Sequence, residues 1–340
     1  MNVFPLTDLA DRLGIAADAT TRQALALGLA VNFLGPRWGG ARLGRCLQPT
    51  FAALDSGRYV FYVDAMGRGI GFVNWTLASA QGTAALLAHG PDAVATLSHE
   101  AEGALWILDF FAYGRGLRAI LADLRDRVLR DHDEVTYFRY RGMRRIAKRI
   151  ARADRTAFFR APAARPDAAL ALAANASLLD KHRDHLHNAI ALGSSLLALR
   201  RCDPGLRSPL WHGAVLRDLA VLEQVRVYRA ADGTPAGLLT WAWLSPHTVA
   251  GLPATPLHAA HVSEWNEGRI LCLCDVLLSA PVRAQVMDDM CADLFPHQRH
   301  IFLYTPPRDG RAASVQRVGR DAGAAAITRW AARNAFEEAR

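Results

Sequence analysis

The sequence predicts an α/β protein built from two tandem copies of one unit, each a mixed, mostly antiparallel sheet flanked by helices. Three observations lead there. One order of helices and strands occurs twice, a Trp and an Asp recur in both occurrences at one spacing, and a proline-rich stretch separates the two. With 340 residues, 51% of them hydrophobic, the chain can bury two ordinary cores.

The first copy opens with an apolar helix around Leu27-Gly28. Residues 59–63 and 70–76 are β-rich runs joined by a glycine-bearing turn at 66–69, the pattern of a hairpin. A third apolar run covers 104–112, and Gly114-Arg115-Gly116 turns the chain. Residues 117–129 carry apolar side chains at helical spacing, and 135–140 read as another strand. The second copy repeats this order: a helix around Leu192-Gly193, strands at 225–229, 235–243 and 270–278, a helix at 282–294, and a strand at 300–305. Trp75 precedes Asp109 by 34 positions, and Trp241 precedes Asp275 by the same 34. The segment APAARPD at 161–167 has the composition of a linker, so the expected domains are 1–165 and 166–340.

The formal charge of +8 implies attraction to an anionic partner: nucleic acid, a membrane surface or an acidic protein. Five cysteines (Cys46, Cys202, Cys272, Cys274, Cys291) form no CxxC pair, which argues against a disulfide framework or a zinc ribbon. Cys272 and Cys274 flank one strand residue and are expected as buried thiols on one face. No apolar run reaches the roughly 18–20 residues that span a bilayer, and the start MNVFPLTDLADRLG is acidic where a secretory signal would be basic. A cytoplasmic protein is expected.

In RYVFYVDAMGRGIGFVNWTLAS and LWILDFFAYGRG of the first copy, and in GLLTWAWLS and ILCLCDVLL of the second, the chain resembles the toxin-activating lysine acyltransferases that modify RTX haemolysins. The resemblance covers about residues 25–150 and 190–305, and the first copy carries it best. It implies a GNAT-like fold for each copy and transfer of a fatty acyl group from acyl carrier protein to a lysine or other amine of a protein or peptide. No bound cofactor is implied. The family's functional pair, a His and an Asp, maps by motif onto His212 in SPLWHGAVLRDL and onto Asp275, with Asp109 as the matching carboxylate of the first copy. His212 precedes Trp241 by 29 positions, fewer than in the family, which asks for a longer loop over 200–207 and a shorter helix after it; Gly205 stands nearer the family register. The first copy has GPRWGGARLG in the expected region, with Trp38 near the position and no histidine, so it is expected to act as a scaffold, a carrier-binding lobe or part of a shared acyl tunnel.

Acyl transfer to lysine needs a neutral amine although the side chain's ordinary pKa is about 10.4, so either a proton is removed or the acyl group first moves to the enzyme, and a histidine titrating near neutrality can do either. A neighbouring carboxylate fixes its tautomer, the role expected of Asp275. An Asp closing an apolar strand also serves as a turn or cap, and that reading stays open for Asp275 and more so for Asp109. Trp75, Trp241 and Trp243 are core packing or the walls of an acyl channel. GNAT-like folds gather oxyanion donors at a bulged strand, which the sequence does not locate.

From Arg139 to Arg160, nine basic residues recur with Asp154 as the only acid. Without a base-reading motif or interleaved aromatics this stripe argues against nucleic acid and for docking an acidic carrier protein through Arg144, Arg145 and Arg149, or for a solvated helix. His182, His185 and His187, like His258 and His261, lack the spacing that gathers three metal ligands on one face, and no metal is expected. Two other functions remain: a non-catalytic carrier- or toxin-binding protein of two decayed domains, and an acyl-coenzyme A N-acyltransferase, for which Gly114-Arg115-Gly116 is too short a fingerprint. The expected chain is a pseudo-dimer, able to act as a monomer.

Overall fold

The computed structural model describes residues 3–5, 18–38, 43–64, 69–97, 102–112, 116–141, 144–154, 158, 183–205, 208–211, 215–254, 257, 260–279, 282–290, 294–295, 297–307, 312–319 and 323–334. These form two compact units, one of Met1–Phe33 with Arg45–Leu186 and one of Leu34–Gly44 with His187–Arg340. The proline-rich stretch at 161–167 lies outside the described residues.

The first unit contains β1 (Val3–Pro5), helix α1 (Ala19–Trp38) as far as Phe33, α2 (Leu43–Cys46) from Arg45 and α3 (Gln48–Asp55), then β2 (Tyr59–Asp64), β3 (Gly69–Ala78), α4 (Ala80–His89), β4 (Ala104–Ala112), α5 (Leu117–Asp123), β5 (Glu134–Arg141) and β6 (Arg144–Ala151). Its six strands lie in sequence order. All neighbours are antiparallel except β4 and β5, which run parallel. The helix expected over 117–129 is α-helical only to Asp123; residues Leu124–Val128 widen into a π turn. The basic stripe is not the solvated helix expected as one alternative: as far as Ala151 it lies in the β5–β6 hairpin.

The second unit contains α6 (Arg183–Cys202) from His187, a 3₁₀ turn at Pro209–Trp211, α7 (Val215–Val221), β7 (Val225–Arg229), β8 (Pro235–Leu244), α8 (Pro246–Gly251), β9 (Ile270–Leu278), α9 (Arg283–Asp288), β10 (His300–Thr305), β11 (Ser314–Gly319) and α10 (Gly323–Asn334). Its sheet has the order β11-β10-β9-β8-β7, with β9 and β10 the parallel pair and the other neighbours antiparallel. Strand β8 is buried along nearly its whole length, so it reads as a continuous apolar run rather than an alternating one. Leu239, Trp241, Leu271, Leu273 and Trp330 belong to the main core of this unit, with Phe295 packed against it.

The units match in detail. Tyr62 donates to Asp123 Oδ2 at 2.7 Å, pinning α5 to the sheet, and Tyr228 donates to Asp289 Oδ2 at 2.5 Å in the corresponding place. Ser79 and Ser245 cap the helices that follow the second hairpin strands. The turn before β2 has Gly57 at φ +68°, and the turn before β7 has Glu223 at φ 56°, a left-handed conformation that disfavours a side chain. The Trp75 amide bonds to the Arg58 carbonyl, as the Trp241 amide does to that of Gln224. Each pair of counterparts stands 166 positions apart.

Candidate active site

In the second unit, Thr240 of β8 faces Asp275 of β9, but the next residue, Trp241, faces Leu273. Cys274 is therefore an extra residue, a β-bulge that redirects the strand at the carboxylate. The Asp275 amide donates to Thr240 Oγ1 at 3.1 Å and the Thr240 hydroxyl donates to Asp275 Oδ2 at 3.4 Å, which holds the bulge from the partner strand. On the other side, β9 pairs with β10 only at Cys272↔Phe302 and Leu273↔Leu303. Asp275 thus sits just past the point where the parallel strands stop pairing.

A small cavity of about 10 Å³, open to solvent, lies there. Cys274, Asp275 and Tyr304 line it with Leu257, Trp265 and Pro306; Leu210 and Val215 complete the wall. His212 itself lies outside the described residues, but Leu210 and Val215 flank it in the chain. The turn before it is tied to Asp203, a fully buried carboxylate that accepts from the Ser208 amide at 2.6 Å and from Trp211 Nε1 at 3.1 Å. Ser208 Oγ in turn accepts from the Leu210 amide at 3.2 Å. Charge-assisted hydrogen bonds of this kind fix a loop that would otherwise carry unsatisfied backbone groups. The loop expected over 200–207 begins later, because α6 runs on through Cys202, and a short helix, the seven-residue α7, follows.

Tyr304 is 3% exposed. Its oxygen accepts from the Leu257 amide at 3.2 Å. Burial and the neighbouring Asp275 push the phenol up to about 12, so it remains a protonated donor at neutral pH.

The first unit carries the same bulge with different chemistry. Asn74 faces Asp109, Trp75 faces Ile107, and Leu108 is the extra residue. Asn74 grips Asp109 with both ends of its amide: the Asp109 amide donates to Oδ1 at 2.7 Å and Nδ2 donates to the carboxylate at 3.0 Å. Burial pushes Asp109 up to about 6 even so, with the charge of Asp92 adding to the shift. Counting 166 back from His212 gives Cys46, not Trp38, and from Tyr304 gives Phe138. The helix after Cys46, the positive-φ turn and the hairpin keep this offset without a gap. The Cys46 thiol is raised above its ordinary range, first by burial, then by the charges of Asp92 and Asp109, the opposite of what activates a thiolate.

The expected tryptophans divide. Trp241 and Trp243 pack edge-on against Phe295, at ring-centre distances of 5.4 and 6.1 Å, in the core on the sheet face opposite Thr240. They do not line the Asp275 pocket. Trp75 does line a small cavity of about 10 Å³ in the first unit, with Ser56, Thr76 and Leu108. Arg145 donates to the Ala88 and His89 carbonyls at the end of α4 and lies over the Phe138 ring, while Arg149 pairs with Glu134. The side chain of Arg144 lies outside the described residues, as do His182, His258 and Cys291. His261 caps the short 3₁₀ helix Val262–Trp265, and no group of three metal-capable side chains exists among the described residues. Cys272 and Cys274 are buried free thiols as expected, Cys274 donating to the Cys272 carbonyl at 3.3 Å.

Thr240, Asp203 and Tyr304 were not singled out by the sequence reading. The constant offset is the signal that finds Tyr304, because Phe138 stands 166 positions before it on the corresponding strand.

Residues 211–319 match the model of the RTX toxin acyltransferase family. The matched stretch takes in His212, the bulge with Asp275, and Tyr304, and it falls in the second unit, whereas the sequence motifs read as the closer resemblance lie in the first. No curated protein matches the chain. No helix among the described residues is long and apolar enough to cross a membrane.

Proposed function

From the family match over the second unit, we propose that the protein is an acyltransferase that moves a fatty acyl group from the thioester of an acyl carrier protein to a lysine or other amine of a protein or peptide, using His212 and Asp275. The supporting observation is the register of the two units. Cys46 stands at the position of His212, and its thiol lies close enough to Asp109 for the carboxylate's charge to shift it. The same backbone path in the second unit would bring the imidazole beside Asp275, on a wall whose flanking residues Leu210 and Val215 already share the Asp275 pocket.

In the proposed reaction the acceptor nitrogen attacks the thioester carbonyl carbon, His212 takes the proton from nitrogen, and the new C–N bond forms as the carbonyl oxygen becomes an oxyanion. Collapse breaks the C–S bond, and the imidazolium returns its proton to the departing sulfur, leaving amide and thiol. Asp275 holds the imidazole by one ring nitrogen and stabilises its charged form. No oxidation state changes. The first unit, with a raised thiol in place of the imidazole, does not run this chemistry and is the scaffold or carrier-binding half of a duplicated chain with domains 1–165 and 166–340. Arg144, Arg145 and Arg149 on the β5–β6 hairpin are the proposed surface for the acidic carrier; coenzyme A remains the alternative donor.

The test is incubation with a panel of carrier proteins, and with coenzyme A, bearing isotopically labelled acyl chains, followed by intact-mass measurement of protein and candidate acceptors. Carrier-dependent gain of one acyl mass on an acceptor amine is expected. Tight carrier binding with no transfer to any acceptor would instead identify a binding protein.

A further inference from the structure

Tyr304 carries a hydroxyl that the fold leaves half used. Its oxygen accepts one hydrogen bond, from the Leu257 amide at 3.2 Å, and its own proton meets no acceptor among the described residues. The side chain is 3% exposed, and it lines the same pocket as Asp275.

The repeat supplies an independent observation. At the matching position of the first unit stands Phe138, which stacks at 5.2 Å from Trp106 and has no polar end. The two units therefore differ at this register position, with phenol at 304 and phenyl at 138, and they differ again in the sequence at 212 and 46, imidazole for thiol. The second unit's hydroxyl stands on the wall of the Asp275 pocket, whereas the phenyl packs on Trp106.

We propose that Tyr304 donates its hydroxyl hydrogen bond to the carbonyl oxygen of the bound acyl thioester, and holds that oxygen more tightly as it becomes an oxyanion. This rests on the acyltransferase reading of the same pocket. The proton stays on the phenol throughout; the bond formed is a hydrogen bond, and the C–N and C–S events are those already given. A donor fixed before substrate arrives and aimed at developing charge acts mainly on the transition state. The raised phenol keeps that proton available across the physiological range.

The test uses the full chain and Tyr304→Phe, the residue the first unit itself uses. Under single turnover with acyl carrier protein, the acyl-transfer rate is expected to fall roughly 10²–10³-fold, with carrier affinity within about twofold and the melting temperature a few degrees lower because the buried Leu257 amide loses its acceptor. A second readout does not depend on turnover. A ¹³C-carbonyl acyl-pantetheine ketone, with methylene in place of sulfur, should shift downfield on binding the native protein and lose that shift in Tyr304→Phe. If transfer occurs and neither rate nor shift responds to the substitution, the role of Tyr304 is overturned while the acyltransferase reading stands. If nothing is transferred but the carbonyl shift still depends on Tyr304, the hydrogen bond is upheld and the acyltransferase reading fails. If the ketone does not bind the native protein, the proposal is overturned whatever the transfer result.

Discussion

Replacing His212 with alanine is expected to slow acyl transfer by roughly 10²–10⁴-fold, the range that a positioned general base contributes. Cys46→Ala, at the matching position of the first unit, is expected to leave the rate within about twofold. The contrast follows from the local electrostatics. An imidazole beside Asp275 gains a carboxylate that stabilises its protonated form, so it can accept the amine's proton. The Cys46 thiol lies beside Asp92 and Asp109, and burial and both charges hold it protonated. The native rate should rise with pH through the histidine range, near 6.5 for an unperturbed side chain, and this limb should vanish in His212→Ala. Stopped-flow release of carrier thiol, recorded for the three proteins across pH 5–9, is the check.

Asp109→Asn is expected to stabilise the protein at pH 7 and to flatten its stability profile on the acid side. The sign follows from linkage. Burial raises Asp109 from 3.8 to about 6 in the folded state, so folding favours the protonated carboxyl. The stabilisation this group provides is fully present below pH 3.8, fades as pH rises through about 6, and is absent at pH 7, where the folded protein carries a buried charge. The difference across that window is of order 2–3 kcal/mol. Asparagine keeps an oxygen to accept from Asn74 and removes the charge, so it should recover much of this amount at pH 7. Urea unfolding of native and variant chains at pH 4.5 and pH 7 measures it: the gap between the two proteins should be large at pH 7 and small at pH 4.5.

Strands with strong local patterning were legible in the sequence. The run at 300–305 corresponds to β10 (His300–Thr305), and 104–112 to β4, because apolar stretches bounded by turns leave little choice. The β6 strand was not, since RRIAKRIA reads locally as a basic helical stripe; what makes it a strand is pairing with β5, supported by the ion pair of Arg149 with Glu134 across the hairpin. Asp275 and Asp109 were legible as matched carboxylates, but the bulge beside each was not, because an extra residue in one strand shows only against its partner's register. Cys46 went unnoticed for a chemical reason: a search for histidine does not see a thiol as its counterpart, and only the unbroken offset through α3 and the hairpin makes the correspondence. For the tryptophans the sequence left core packing and channel walls both open, and strand alternation decides for two of them, sending Trp241 and Trp243 to the core face and Thr240 to the pocket face.

The most direct measurement compares Asp109→Asn with Asp275→Asn for single-turnover acyl transfer from a loaded carrier protein, each variant first checked for native melting behaviour. Chemistry confined to the second unit predicts a rate within about twofold of native for Asp109→Asn and a loss of at least roughly 10²-fold for Asp275→Asn. A folded Asp109→Asn protein that no longer transfers, or an Asp275→Asn protein that transfers normally, would contradict it.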